Sequence, residues 1–106
     1  MARSEPLCGR ELRYRLTLLL RDAHRAMTLR ELLSLLQSAG VPISGRPSKT
    51  VSDALRWEVR RGRVRRTARS TYATGRIPES TVRFIRHWLD DSVQGLDAAR
   101  TRRRRA

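Results

Sequence analysis

Residues 48–61 read SKTVSDALRWEVRR and are followed by Gly62. When successive residues are spaced about 100° apart, as in an α-helix, the apolar side chains of this segment fall on one side. These side chains are Val51, Ala54, Leu55 and Val59. The opposite side carries Lys49, Arg56 and Arg60, with Thr50, Ser52 and Asp53 beside them. We predict a helix that buries its apolar side and presents cations and short polar groups on the other.

The residues at both ends of the segment support a helix of about this length. The Ser48 hydroxyl can accept a hydrogen bond from a free N–H of the first turn, so we predict Ser48 as the N-cap. Pro47 restricts how the chain enters the helix. Gly62 suits the left-handed conformation with which many helices end.

The outer face of this helix combines phosphate donors with short polar side chains. A helix that lies in the major groove of DNA needs both, because cations hold the backbone and short polar groups reach base edges. The other interpretation is an amphipathic helix whose charged face is solvated in an arginine-rich protein. The segment alone leaves both interpretations open.

Positive charge dominates the composition. The 106 residues, enough for one small domain with tails, contain 24 Lys and Arg against 10 Asp and Glu, a formal net charge of +14. Such an excess favours polyanions, either nucleic acid or an anionic membrane surface. Every basic residue except Lys49 is arginine, whose guanidinium binds phosphates and guanine edges through two hydrogen bonds. A genome rich in G and C would also explain the arginine bias, although not the net charge.

The sequence contains no recognisable catalytic motif and no recognisable metal-binding motif. Cys8, His24 and His87 are the only soft or imidazole ligands, and their spacing fits no zinc pattern. There is no glycine-rich phosphate loop and no pair of acidic residues in a supporting context. We expect a protein that is not an enzyme and has no cofactor or metal.

The cysteine content and the length of the apolar runs indicate the cellular compartment of the protein. A single cysteine excludes an internal disulfide and fits a reducing cytoplasm. No apolar run approaches the ~20 residues of a membrane span, and the N-terminus lacks the long apolar core of a signal peptide. We expect a cytoplasmic protein of the nucleoid with no membrane partner.

Two further helices are predicted before this segment. The first spans residues 10–24 and has a stripe of leucines at helical spacing. Its members are Leu12, Leu16, Leu19 and Leu20. Thr28 and Glu31 have the spacing of a capping box, which opens a second helix that Gly40 closes. Residues 41–47 hold two prolines and a glycine and are predicted as a loop, so the second and third helices form a helix-turn-helix arrangement.

After the third helix the apolar period changes from that of a helix to that of a strand. Residues 63–67 and 70–74 are predicted as a two-stranded hairpin, with Val64 and Tyr72 as its inward anchors. The arginines of the hairpin are predicted to remain outside, and they are Arg63, Arg65, Arg66 and Arg69. Residues 26–27 are predicted as a short extended link. The predicted fold is therefore mainly α with a small β-hairpin, an α+β class.

A fourth helix is predicted from Pro78 to Asp91, since proline fits the first helical position. Four residues share its apolar side, namely Val82, Ile85, Trp88 and Leu89. These side chains either close the core of their own chain or form a contact between two copies of the chain. In a dimer, the two groove helices would lie about one DNA turn (~34 Å), or a multiple of it, apart.

The predicted organisation has four parts. Residues 1–9 form a loose arm, residues 10–76 the main domain, residues 77–91 the fourth helix, and residues 92–106 a disordered basic tail that acts as an electrostatic arm.

The order of helix, link, helix, loop, helix and hairpin resembles a winged helix-turn-helix. Three motifs carry the resemblance: Thr-x-x-Glu-Leu from Thr28, Thr-Val-Ser-x-x-Leu from Thr50, and Gly-x-Val-x-Arg from Gly62, followed by Tyr72. The resemblance covers about residues 10–76. The short basic format is similar both to transcription regulators and to chromatin or nucleoid-associated members of the family.

The resemblance implies double-stranded DNA as the partner, with the third helix in the major groove and the hairpin, or wing, on the backbone or minor groove. It assigns Lys49, Thr50, Ser52, Asp53 and Arg56 to the groove helix and Arg65, Arg66, Arg69 and Ser70 to the wing. The complete predicted DNA-binding set is Arg46, Ser48, Lys49, Thr50, Ser52, Asp53, Arg56, Arg60, Arg63, Arg65, Arg66, Arg69 and Ser70.

Two features depart from the family pattern. The predicted wing has no glycine at its tip. The bulky Trp57 lies beside the groove face, or it packs under the wing.

Two other functions are compatible with the same sequence. A winged helix can instead hold a protein partner, here through the surface of Trp57 or Trp88. A basic domain can also bind RNA, which requires aromatic side chains that stack on bases from an exposed face.

Overall fold

The computed structural model describes residues 9–91. Its elements, in chain order, are α1 (Gly9–Ala23), β1 (Met27–Thr28), α2 (Leu29–Ser38), α3 (Pro47–Arg60), β2 (Val64–Ala68), β3 (Thr71–Thr74) and α4 (residues 79–91). Over these residues the chain is mainly helical with a small antiparallel sheet, which confirms the predicted α+β class. Gly9 belongs to α1 and not to the predicted arm, while residues 1–8 and the basic tail 92–106 lie outside the described residues.

Within residues 9–91 the sheet has three strands, so the prediction of a two-stranded hairpin was incomplete. The segment predicted as a link contains β1, which pairs antiparallel with β3 through Met27 opposite Tyr72 and Thr28 opposite Thr71. The strand order is therefore β1-β3-β2. A strand of two residues is too short to show the alternation by which strands are recognised in a sequence.

The turn of the β2–β3 hairpin lies close to the start of α2. Ser70, in this turn, has φ +52° and takes the left-handed position that a glycine usually fills. Its carbonyl oxygen accepts a hydrogen bond from the Leu29 N–H at 2.9 Å. Val64 and Tyr72 are buried, as predicted. The hairpin is thus fastened to the helices at its turn as well as by its apolar anchors.

A capping box opens α2, as the sequence predicts. The Thr28 hydroxyl accepts from the Glu31 N–H at 3.1 Å, and the Glu31 carboxylate accepts from the Thr28 N–H at 3.1 Å. The hydrogen bond from the Thr28 backbone, followed by one from Arg25, lowers the pKa of Glu31 below its ordinary value. The box therefore joins the end of β1 to the first turn of α2.

The predicted N-cap of α3 is wrong. The helix begins at Pro47, and its N-cap is Arg46, whose side chain makes no capping hydrogen bond. The first turn of a helix tolerates proline, because an N–H at this position would have no acceptor within the helix. Ser48 therefore lies inside the helix. At the other end Gly62 has φ +76°, the predicted left-handed conformation.

The main core lies between the first three helices and the sheet. Its buried members are Leu12, Leu16, Leu20, Met27, Leu32, Leu36, Val51, Ala54, Leu55, Val64 and Tyr72. The apolar sides predicted for the first and third helices face this core, as do Leu32 and Leu36 of α2. Leu35, which the leucine spacing of the second helix also predicts as buried, is 43% exposed. This packing leaves the opposite side of α3 at the surface.

α4 packs on α1 through a second apolar cluster. Its buried members are Tyr14, Leu18, Val82, Ile85 and Leu89, and Trp88 is partly buried against them. Three of the four residues offered as a dimer contact are therefore covered by the chain itself. The structure bears out the alternative that this helix closes the core of its own chain, and it does not support the predicted dimer contact.

The capping box predicts a measurable loss of stability on substitution. Replacing Thr28 by Ala removes a capping oxygen, so the free energy of unfolding should fall by ~1 kcal/mol in urea denaturation. Ser34→Ala, at an exposed position of the same helix, should change it by less than about 0.5 kcal/mol. Equal effects of the two substitutions would show that the box contributes nothing to the fold.

Candidate nucleic-acid interface

The outer face of α3 is cationic and exposed. Lys49, Arg56 and Arg60 are exposed on it, and Asp53 lies among them. The Lys49 Nζ is 2.8 Å from Asp53 Oδ2. This hydrogen bond, and then the charges of Lys49 and Arg56, lower the pKa of Asp53 below its ordinary value, so the carboxyl is ionised near neutral pH. The face thus presents three cations and one anion.

Most residues of the predicted DNA-binding set lie at the surface. The exposed ones are Arg46, Ser48, Lys49, Asp53, Arg56, Arg60, Arg65, Arg66, Arg69 and Ser70. Thr50, Ser52 and Arg63 are partly buried. Two of these three, Thr50 and Arg63, are committed to contacts within the chain.

Thr50 holds the loop that precedes α3. Its hydroxyl donates to the Ser44 carbonyl oxygen at 2.7 Å. Its N–H donates to the Arg46 carbonyl oxygen at 2.9 Å, which closes the first turn of the helix. Thr50 therefore positions the start of α3, and its hydroxyl hydrogen is already in use.

Arg63 points inward, contrary to the prediction that it remains outside. Its guanidinium donates one hydrogen bond to each carboxylate oxygen of Glu58, one of them from Nη2 to Oε1 at 2.9 Å. Its side chain is 17% exposed. The hydrogen bond to Glu58 is the main cause that raises the pKa of Arg63 above its ordinary value. Arg63 is therefore not part of the exposed cationic surface.

Glu58 was not among the residues predicted for this site. Its side chain has no exposed surface, and besides Arg63 it has the Arg13 Nε of α1 at 3.5 Å from Oε1. A signal was present, because Glu58 falls between Val51 and Ala54 on the apolar side of the helix at 100° per residue. A carboxylate there needs cationic partners, which the sequence could not name.

The cations of the hairpin form a second exposed group beside α3. Arg65, Arg66 and Arg69 are exposed, and the Arg65 Nε donates to the Thr74 carbonyl oxygen at 3.1 Å. Among residues 9–91, the guanidiniums of Arg66 and Arg69 have neither a hydrogen-bond acceptor nor an ion-pair partner. These guanidiniums are available to an external anion.

An open groove of about 520 Å³ separates the start of α3 from the hairpin turn. Its apolar lining comes from Leu29 and Leu33 of α2. Its polar lining consists of Thr28, Arg30, Ser34, Gln37, Ser48, Arg69 and Ser70. Arg30 was not among the predicted residues, because only the tertiary fold brings this side of α2 next to the hairpin turn.

Trp57 lies at the surface beside two arginines. Its side chain is 41% exposed on α3, and the guanidinium carbons of Arg13 and Arg61 lie 5.0 and 5.3 Å from its ring centroid. These are cation–π distances. Trp57 therefore extends the surface of α3 on the side that faces α1.

Within residues 9–91, no three His, Cys, Asp or Glu side chains come together in a way that could hold a metal ion. None of the helices described is long and apolar enough to cross a membrane. The notable chemistry of this region is the exposed cationic surface.

Comparison with known proteins adds no relative. The chain matches no protein-family model, no curated protein and no solved structure. Function is therefore inferred from the residues and their geometry alone.

The buried pair of Glu58 and Arg63 predicts a large effect of one substitution. Arg63→Ala leaves a buried carboxylate without its main partner, so the free energy of unfolding should fall by about 3 kcal/mol. Arg66→Ala, an exposed arginine of the same hairpin, should change it by about 0.5 kcal/mol or less. Urea denaturation of both variants is the measurement, and a loss in Arg63→Ala no larger than in Arg66→Ala would contradict the pairing.

Proposed function

We propose that the protein binds double-stranded DNA as a winged helix-turn-helix, with α3 in the major groove and the hairpin on the backbone. The observation that carries the proposal is the outer face of α3, where Lys49, Arg56 and Arg60 are exposed beside the cations of the hairpin. A groove about 12 Å wide admits one α-helix, and a helix of 14 residues is about 21 Å long.

Phosphate contacts supply most of the affinity in this proposal. The candidate phosphate ligands are Arg46, Arg60, Arg65, Arg66 and Arg69, to which Arg30 is added from the groove beside α2. The Arg65 Nε already donates to the Thr74 carbonyl oxygen, which leaves its terminal N–H groups for a phosphate. The other guanidiniums of this set have no partner within residues 9–91, so they give up only water and counterions. Arg63 is left out, since its guanidinium is occupied by Glu58.

Base contacts come from the centre of α3. Lys49 and Arg56 can donate to guanine, Asp53 can accept from the cytosine amino group, and Ser52 can contact either kind of edge. Thr50 is a weaker candidate than the sequence suggested, because its hydroxyl already donates to Ser44. The role is regulation of transcription or organisation of the nucleoid, in the cytoplasm.

The exposed cations also weigh against a protein-interaction module. Such a module would be favoured if Lys49, Arg56 and Arg60 were covered by the chain's own residues, and in residues 9–91 they are exposed. Competition between duplex DNA and double-stranded RNA of the same sequence separates DNA binding from RNA binding.

A salt titration tests the proposal. If six to eight phosphates are neutralised, the logarithm of the binding constant should fall with the logarithm of salt concentration at a slope of about −5 to −7. Fluorescence anisotropy of a labelled duplex is the measurement. Binding that does not respond to salt would contradict the proposal.

Two arginine variants separate base reading from phosphate binding. Arg56→Ala should cost ~1–3 kcal/mol on the preferred sequence and relax the preference at one base pair. Arg66→Ala should weaken binding to all duplexes alike and reduce the salt slope by about 1. If the two variants behave identically across sequences, α3 reads no bases, and nucleoid packaging becomes the role.

A further inference from the structure

Trp57 is an exposed indole with two arginines beside it. Its side chain is 41% exposed, although large aromatic side chains are usually mostly buried. Arg13 comes from α1, and Arg61 follows the last residue of α3. Their guanidinium carbons lie 5.0 and 5.3 Å from the ring centroid. The three side chains form a single aromatic and cationic surface, called here the Trp57 surface.

The two arginines of the Trp57 surface differ in burial and in their ion-pair contacts. Arg13 is partly buried, and its Nε lies 3.5 Å from the fully buried carboxylate of Glu58. Arg61 is exposed and has no ion-pair partner among residues 9–91. Arg13 therefore keeps its place beside the ring, whereas Arg61 is free to leave the ring and bind an anion nearby.

The other exposed aromatic side chain lacks this environment. Phe84 is 52% exposed on α4, and its ring centroid lies 6.4 Å from that of Tyr14 in an edge-to-face contact. No guanidinium within residues 9–91 lies over the Phe84 ring. Phe84 is thus a matched aromatic position without the cations.

We propose that the Trp57 surface binds an unpaired nucleotide, so that the protein also binds single-stranded nucleic acid. The base stacks on the exposed indole in place of Arg61, and the Arg61 guanidinium turns to the adjoining phosphate. Arg13 stays against the ring and strengthens the stack. A nucleotide fits this surface because its flat base can stack on the indole while its phosphate meets a guanidinium beside the ring.

The Trp57 surface lies next to the face proposed for duplex DNA. Trp57 follows Asp53 by four residues and precedes Arg60 by three, so it is one helical turn from each. A base inside a duplex is stacked on its neighbours and cannot offer a free face to Trp57. Single-stranded binding is therefore a separate activity, and it is independent of whether α3 enters a major groove.

Binding to a short oligothymidine tests the proposal. Fluorescence anisotropy is measured for fluorescein-labelled oligothymidine, for the same oligomer with abasic sites, and for a blunt duplex. Trp57→Ala should weaken oligothymidine binding about tenfold, the size expected for loss of one stacked base. Trp57→Phe should keep most of the affinity, and Phe84→Ala should change it less than about twofold.

A second measurement does not depend on the folding of Trp57→Ala. In Trp88→Phe, Trp57 is the sole tryptophan. Stacking of a base on the indole should quench its fluorescence when oligothymidine is added, while the abasic oligomer should leave it nearly unchanged.

Several results would overturn the proposal. They are equal binding of oligothymidine and the abasic oligomer, unchanged binding by Trp57→Ala, or an equal loss of duplex and oligothymidine binding in that variant. Binding of the duplex without oligothymidine would reject this inference and leave the proposed duplex function standing. Binding of oligothymidine without binding of the duplex would support this inference and reject the proposed duplex function.

Discussion

The buried carboxylate of Glu58 is the constraint on which the arrangement of α1, α3 and the hairpin depends. A charge without partners in the interior would cost several kcal/mol, about the stability of a small domain. Arg63, just before β2, donates two hydrogen bonds to it, and Arg13 of α1 lies 3.5 Å away. Backbone hydrogen bonds repeat the connection, since the Arg63 N–H donates to the Glu58 carbonyl oxygen at 3.1 Å. The direction in which the hairpin leaves α3 is thereby fixed.

This constraint separates the arginines into two groups. Arg13 and Arg63 face Glu58, while Arg56, Arg60 and Arg66 remain at the surface. With 24 basic residues against 10 acidic ones, the surface cannot neutralise itself. Its mutual repulsion opposes the compact state and is relieved when phosphates approach. The inward pair orients the hairpin, and the outward set is the one that we propose to meet the phosphates of a nucleic acid.

The helices could be predicted from the sequence because apolar residues recur at helical spacing over several turns of each. The capping box could be predicted from the spacing of Thr28 and Glu31 alone. The strand β1 could not be predicted, since two residues are too few to show the alternation of apolar and polar side chains. The direction of Arg63 could not be predicted either, because the sequence indicates that Glu58 lies on the apolar side of α3 but not which cations meet it. In the candidate site, the exposed face of α3 was predictable, whereas Arg30 and the two arginines beside Trp57 depend on tertiary neighbours.

The central claim is that the outer face of α3 meets duplex DNA. Its most direct test is a titration of ¹⁵N-labelled protein with a short duplex at low salt, followed by amide chemical shifts in two-dimensional NMR. We predict that the chemical shifts change most over residues 46–61 and 65–70 and least over residues 79–91 of α4. Largest changes on α4, or changes spread evenly over residues 9–91, would contradict this claim.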